Sequence, residues 1–166
     1  MNGLYRPNAG IVLFNKNGKV LVCARADKKD MQWQFPQGGI DDGETAEQAS
    51  ARELKEETGI TSAKLVYAAP QTIKYDYPPF VLKKFQKLGR THIGQEQHWF
   101  LFFYDSAEKP DFTTHPEEIE FKAYEWVDFD EAVKRIIDFK KESYQYAQSV
   151  FEPVIATYLK KKEKTS

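Results

Sequence analysis

A single cysteine, Cys23, is all the thiol chemistry in this sequence. That excludes an internal disulfide, any disulfide partner within the chain, and any cysteine-clustered zinc site. No apolar run approaches the roughly 18–20 residues that a membrane-crossing helix needs. Met1 to Gly10 lacks the basic-then-apolar order of a secretory signal. Neither charge is in excess, since 24 Lys and Arg stand against 25 Asp and Glu for a formal net charge of −1. A protein that coats long nucleic acid needs many cations against phosphates, so that class is excluded as well. Internal repeats are absent. The one low-complexity stretch, Lys160-Lys161-Lys162-Glu163-Lys164-Thr165-Ser166, reads as a frayed, solvated end.

What is present suits a folded core. Of 166 residues, 41% are hydrophobic and 14% of the chain is aromatic, too apolar for wholesale disorder. The length fits one domain over residues 1–166. A cytoplasmic protein without membrane attachment is expected. Two apolar runs, Ala9–Phe14 and Val20–Ala24, flank Asn15-Lys16-Asn17-Gly18 and read as a β-hairpin. Trp33 to Asp42, Gly-rich and holding Pro36, reads as loop or edge strand.

Thr45 to Thr58 contains no Gly or Pro and favours helix. Thr45 and Gln48 match a capping box, and Gly59 stands where a helix end takes a left-handed residue. Lys64–Ala68, Gln71–Tyr77, Trp99–Tyr104 and Phe121–Val127 read as strands. A helix capped by Asp128 or Asp130 runs to about Ile137, and another spans Glu142 to Lys162 with an interruption near Pro153. Strands mixed with three helices predict a layered α/β or α+β domain.

The chemistry concentrates in one stretch. On a helix, Glu53, Glu56 and Glu57 stand at i, i+3 and i+4, so all three carboxylates project from one face. A solvated charged face is the ordinary fate of such a helix. Against it, Glu56 and Glu57 sit in the last turn, where the helix dipole disfavours anions by a few tenths of a kcal/mol each. Glu53 and Glu57 also repel as a like-charge i, i+4 pair, and Arg52 relieves only part of this. Convergent carboxylates without His or Cys select a hard ion, Mg²⁺ or Mn²⁺ rather than zinc. From residue chemistry alone, solvated face and metal site both stand.

The sequence then resembles a known family. Gly38, Glu44 and Arg52-Glu53-Leu54-Lys55-Glu56-Glu57-Thr58-Gly59-Ile60 match the Nudix box (38–60) at every fixed position. From average composition, such a match arises by chance roughly once in ten million chains. Tyr5-Arg6-Pro7-Asn8, Trp33 to Ile40, Tyr75-Asp76-Tyr77-Pro78 and Gly94 to Phe100 resemble the bacterial RNA pyrophosphohydrolase subgroup, also known for diadenosine polyphosphate hydrolysis. The resemblance implies a Nudix fold, an α/β/α sandwich with a central mixed sheet and a loop–helix–loop box. It implies a divalent metal, with two or more ions, and a substrate that is a 5′-phosphorylated RNA end or a nucleotide.

By the same resemblance, Glu53, Glu56 and Glu57 hold metal, with Gly38 and a further carboxylate, Glu120. Glu53 or Glu57 is alternatively the group that takes the water's proton, and Arg52 orients a carboxylate. Gly39, like Gly38, lets the backbone come close to metal or phosphate. Arg6 and Lys140 are matched to phosphate binding and Phe139 to base stacking, with Gln37, Gln95 and Gln97 near the 5′ end. Related sequences often carry two adjacent arginines where Arg25 is followed here by Ala26, so Arg25, or Lys28 and Lys29, meets the phosphate.

The basic stretch Lys83 to Arg90 either steers RNA or is a solvated loop. His92, His98 and His115 lack ligand spacing, and Cys23 reads as a small buried hydrophobe. Three functions remain: hydrolysis of 5′-triphosphate or 5′-diphosphate RNA ends to monophosphate, promoting mRNA decay; diadenosine tetra- or pentaphosphate hydrolysis; and a non-catalytic nucleotide sensor, disfavoured by the intact glutamates. Phosphate-chain preference, first-base preference and oligomeric state are not written in the sequence.

Overall fold

In a computed structural model describing residues 4–104 and 109–165, two long strands form the middle of the sheet. They are β1 (Tyr5–Phe14) and β7 (Gly94–Phe103), parallel and in unbroken register from Tyr5 opposite Gly94 to Phe14 opposite Phe103. Both are almost wholly buried from Asn8 and Gln97 onward, because both faces of this sheet are covered. β2 (Val20–Arg25) returns antiparallel to β1 through the expected hairpin, and β3 (Trp33–Gln34) and β8 (Phe121–Val127) pair with β2. β4 (Gln37–Gly39) joins β1, while β5 (Lys64–Ala68) and β6 (Ile73–Asp76) join β7. The sheet is mixed, with helices packed on both of its faces.

Strand alternation divides the core in two. Ile11 and Leu13 of β1, with Phe100 and Phe102 of β7, point toward α1 (Ala46–Thr58), where Ala49 and Leu54 meet them. Val12 and Phe14, with Trp99 and Leu101, point the other way, toward α3 (Phe129–Arg135) and α4 (Lys141–Thr165). Thr45 and Gln48 form the reciprocal capping box at the start of α1, and Gly59 closes it at φ 73°. A left-handed residue there lets the Gly59 N–H reach the Lys55 carbonyl. Both helix ends match the sequence reading.

Two elements, α4 and a further helix, differ from that reading. α4 is not interrupted near Pro153 but carries the proline inside. Pro153 loses one backbone hydrogen bond, while Tyr144, Ala147, Phe151 and Ile155 on the same stripe hold both halves against the sheet. The lysine-rich end expected to fray continues the helix to Thr165. Pro79 to Lys87, overlapping the Lys83 to Arg90 stretch for which a solvated loop was one reading, is a fourth helix, α2, with Pro79 at its first position. Short 3-10 turns at Pro116–Glu118 and Asp138–Lys140 precede β8 and α4. Among the described residues no helix is long and apolar enough to cross a membrane.

Candidate active site

A cleft of about 1350 Å³ opens where β1, β4, β6 and β7 meet the outer face of α1. Lining it are Glu53, Glu56, Glu57, Arg52, Glu120 and Gly38, and with them Arg6, Arg25, Gln37, Gln95, Phe139 and Lys140. Three chain segments far apart in sequence therefore converge here, the box, the start of β7 and the turn before α4.

Glu53 and Glu56 of α1, and Glu44 just before it, are held by one guanidinium. Arg52 grips Glu44 through Nε to Oε2 at 2.7 Å and NH2 to Oε1 at 2.9 Å. Its NH1 donates to Glu53 Oε1 at 2.9 Å and Glu56 Oε2 at 3.1 Å, and NH2 also donates to the Gly39 carbonyl at 3.0 Å. Expected to orient a carboxylate, Arg52 binds three. The Arg52 hydrogen bonds hold Glu44 down to about 2, well below the usual carboxylate range. Gly38 is required by close approach, since a Cβ there would lie 2.0 Å from Glu53 Cδ.

Glu53 and Glu57 are pushed the opposite way. Burial raises Glu53 to about 7, with Glu56 and Glu120 adding repulsion against the Arg52 attraction. Glu57 is 7% exposed, and burial together with Glu53 and Glu120 raises it well above its ordinary value. Its Oε2 accepts the Gln37 backbone N–H at 3.1 Å. Glu120, exposed at the rim before β8, is raised by partial burial and lowered by Arg25.

Among the described residues no three His, Cys, Asp or Glu side chains stand arranged as a metal shell. The Arg52 contacts to Glu53 and Glu56 account for that arrangement. The chemistry of the donor set still fits a hard divalent ion. All its atoms are oxygen, it is crowded with negative charge, and two of its members are half or wholly withdrawn from water.

The raised carboxyls give a pH prediction for the metal-free protein. A folded state that holds Glu53 at about 7 against 4.5 ordinarily keeps a proton that the unfolded chain has already lost. Stability from this group is therefore full below about 4.5 and declines as pH climbs to about 7. Glu44, lowered to about 2, acts with opposite sign and only below 4.5. Urea midpoints measured in a chelator should fall as pH rises from about 5 to about 7, and the slope should flatten in Glu53→Gln.

The opposite wall carries cations and rings. Arg6 lies against Gly39, and Lys140 is 7% exposed, with burial and Arg25 lowering its amine to about 8 against the pull of Glu57. Arg25 is held by Asp27 at 2.7 and 3.0 Å, and Lys28 joins it on the wall. Phe139 stands 5.8 Å from Tyr75, whose hydroxyl donates to Gln95, and Tyr77 stands 6.5 Å from Tyr75 on its other side. Tyr75 and Tyr77 helped carry the resemblance but were given no part in the site, although their i, i+2 spacing around Asp76 signals one shared face.

Gln97, expected beside Gln37 at the 5′ end, is fully buried instead. It donates to Asn8 Oδ1 at 2.9 Å and Gln37 Oε1 at 2.8 Å, and accepts from Ser143, which takes the Trp99 indole N–H. Gln97 thus supports Gln37 from beneath. His115 also reaches the cleft, with Nε2 4.0 Å from Glu56 Oε1.

The chain belongs to the Nudix family: the NUDIX domain matches residues 4–148. Within that family it is 40% identical over 153 residues to a Sphingopyxis alaskensis protein named RNA pyrophosphohydrolase, covering 91% of this chain and 95% of that one. A Mannheimia succiniciproducens protein of the same name is 42% identical over 149 residues, covering 89% and 74%. Among solved structures, the E. coli dihydroneopterin triphosphate pyrophosphohydrolase superposes with TM-score 0.69 at 21% identity, covering 89% of this chain and 97% of that one. This last likeness is one of fold. Nudix hydrolases require divalent metal ions.

Proposed function

We propose that this chain is an RNA 5′-pyrophosphohydrolase that converts 5′-triphosphate or 5′-diphosphate RNA ends to 5′-monophosphate, thereby exposing cytoplasmic transcripts to decay. The observation that carries this is the joining, in one cleft, of four carboxylates with Arg6, Arg25, Lys140 and Phe139. The shared name of the relatives at about 40% identity supports the RNA end as substrate.

In this reading Phe139 stacks on a base, and Arg6, Arg25 and Lys140 neutralise the phosphate chain. Lys140, at about 8, stays mostly charged at neutral pH. Glu53, Glu56, Glu57, Glu120 and the Gly38 backbone would hold Mg²⁺ or Mn²⁺, two ions or more. Bound there, the ions supply charge neutralisation and a more acidic water. Arg52 keeps Glu53 and Glu56 aligned. Water adds to phosphorus as the phosphoanhydride breaks, and pyrophosphate or phosphate leaves.

The test compares Mg²⁺-dependent release from triphosphorylated RNA, diphosphorylated RNA and diadenosine tetraphosphate. RNA is expected to turn over fastest. Faster turnover of the dinucleotide would make this a dinucleoside polyphosphate hydrolase, and no turnover of any would make it a nucleotide sensor.

A further inference from the structure

Helix α2 forms part of the cleft wall, yet the chemistry just described leaves it idle. None of its residues is buried, and Phe80 is 65% exposed with Leu88 at 63% just beyond it. A helix ordinarily holds to its protein by sinking one apolar face, which this one does only shallowly. From Pro79 to Thr91 the chain carries Lys83, Lys84, Lys87 and Arg90 and no acid. Among the described residues no carboxylate pairs with Lys83, Lys84 or Lys87. Lys83 and Lys87 repel at i, i+4, and the helix C-terminus offsets only part of that.

Position gives these features a direction. Phe80, Val81, Lys84, Phe85 and Arg90 line the same cleft as the box glutamates. Phe85 is already engaged, 4.9 Å from the Tyr77 ring and under the Arg90 guanidinium at 5.0 Å. Phe80 and Lys84, four residues apart, lie on one stripe of the helix and have no such partner among the described residues. An exposed ring followed by unpaired cations, continuous with a phosphate-binding cleft, is the arrangement by which proteins take up single-stranded nucleic acid without reading its sequence.

We infer that α2 is a second subsite, binding single-stranded RNA downstream of the 5′-terminal nucleotides: Phe80 stacks on a base, and Lys84, with Lys83 and Lys87 beside it, meets backbone phosphates. This rests on the reading of the chain as an enzyme of RNA 5′ ends. The subsite gives a long transcript contacts that a free nucleotide lacks, so the transcript competes better for the one cleft.

The experiment measures kcat/KM for a triphosphorylated trinucleotide, a triphosphorylated unstructured octanucleotide and diadenosine tetraphosphate, with wild type, Phe80→Ala and Lys84→Ala. Wild type should favour the octanucleotide over the trinucleotide by about tenfold or more. Each variant should lose most of that advantage while its trinucleotide and diadenosine tetraphosphate rates stay within about twofold of wild type. For Lys84→Ala the octanucleotide rate should also depend less steeply on salt, by about 0.7 in the logarithmic slope for one phosphate contact. Equal wild-type rates on the two RNAs would overturn the subsite and leave the RNA-end function standing. So would variants that slow both RNAs alike. Turnover of the dinucleotide alone would remove the function and the subsite together. Sedimentation as a dimer that Phe80→Ala converts to monomer would show that α2 meets a second copy instead.

Discussion

Glu57→Gln is expected to lower kcat/KM on triphosphorylated RNA by about a hundredfold to a thousandfold and to leave the thermal midpoint unchanged or higher. The two halves of that result have one cause. Glu57 is 7% exposed, and both burial and the neighbouring Glu53 and Glu120 resist its charge. Removing the charge removes a cost to the fold, and the Gln oxygen can still accept the Gln37 N–H that Glu57 accepts at 3.1 Å. In the proposed reaction the same charge belongs to the ion-holding set, where loss of one ligand takes several kcal/mol from transition-state stabilisation, about a factor of ten for each 1.4 kcal/mol. Calorimetry beside steady-state kinetics checks both halves. Wild-type rates in the variant would remove Glu57 from the catalytic set, and a large drop in midpoint would make it structural.

Arg52→Ala should lose both stability and activity. Five hydrogen bonds run from this guanidinium, to Glu44 twice, to Glu53, to Glu56 and to the Gly39 carbonyl. Its departure leaves three carboxylates facing one another. Because the side chain is 27% exposed, the cost lies below that of a fully buried pair, at about 2–4 kcal/mol. Activity should fall about a hundredfold or more. Millimolar Mg²⁺ should return part of the stability but little of the activity, since an ion can offset charge without fixing the direction of Glu53. Arg52→Lys should rescue little, because an ammonium cannot fork toward Glu44 while reaching Glu53 and Glu56. Urea midpoints with and without Mg²⁺, set beside the kinetics, decide this. A midpoint in Arg52→Ala equal to that of wild type would show that the contacts carry no stabilisation.

What could be read beforehand follows the range of the interactions. The Thr45–Gln48 box and the Gly59 cap involve residues within four positions of each other, so the sequence carries them directly. The face shared by Glu53, Glu56 and Glu57 follows from helical period alone, and the box pattern placed it in a family. Less local facts escaped. Whether Pro153 breaks α4 depends on Phe151 and Ile155 finding the sheet. The resemblance matched Gln97 to the 5′ end along with Gln95, yet the two differ. Gln95 lines the cleft, and Gln97 sinks beneath it to meet Asn8, Gln37 and Ser143. Lys140 was expected as a cation for phosphate, but its near-complete burial came from the 3-10 turn that precedes α4. α2 was hidden by its prolines and by its want of a buried face.

The parallel pairing of β1 with β7 bears on how the chain is made. Tyr5 to Phe14 leave the ribosome well ahead of their partners, Gly94 to Phe103, which follow only after α1, β5, β6 and α2 have been made. Until then one side of the sheet's middle strand has no neighbour along its length. Distant pairings of this kind form slowly and leave apolar edges open to self-association while they wait. Nascent chains halted ahead of Gly94 therefore hold the whole acidic helix yet lack the strand that would seat it, and such fragments are natural clients for chaperones rather than partial enzymes.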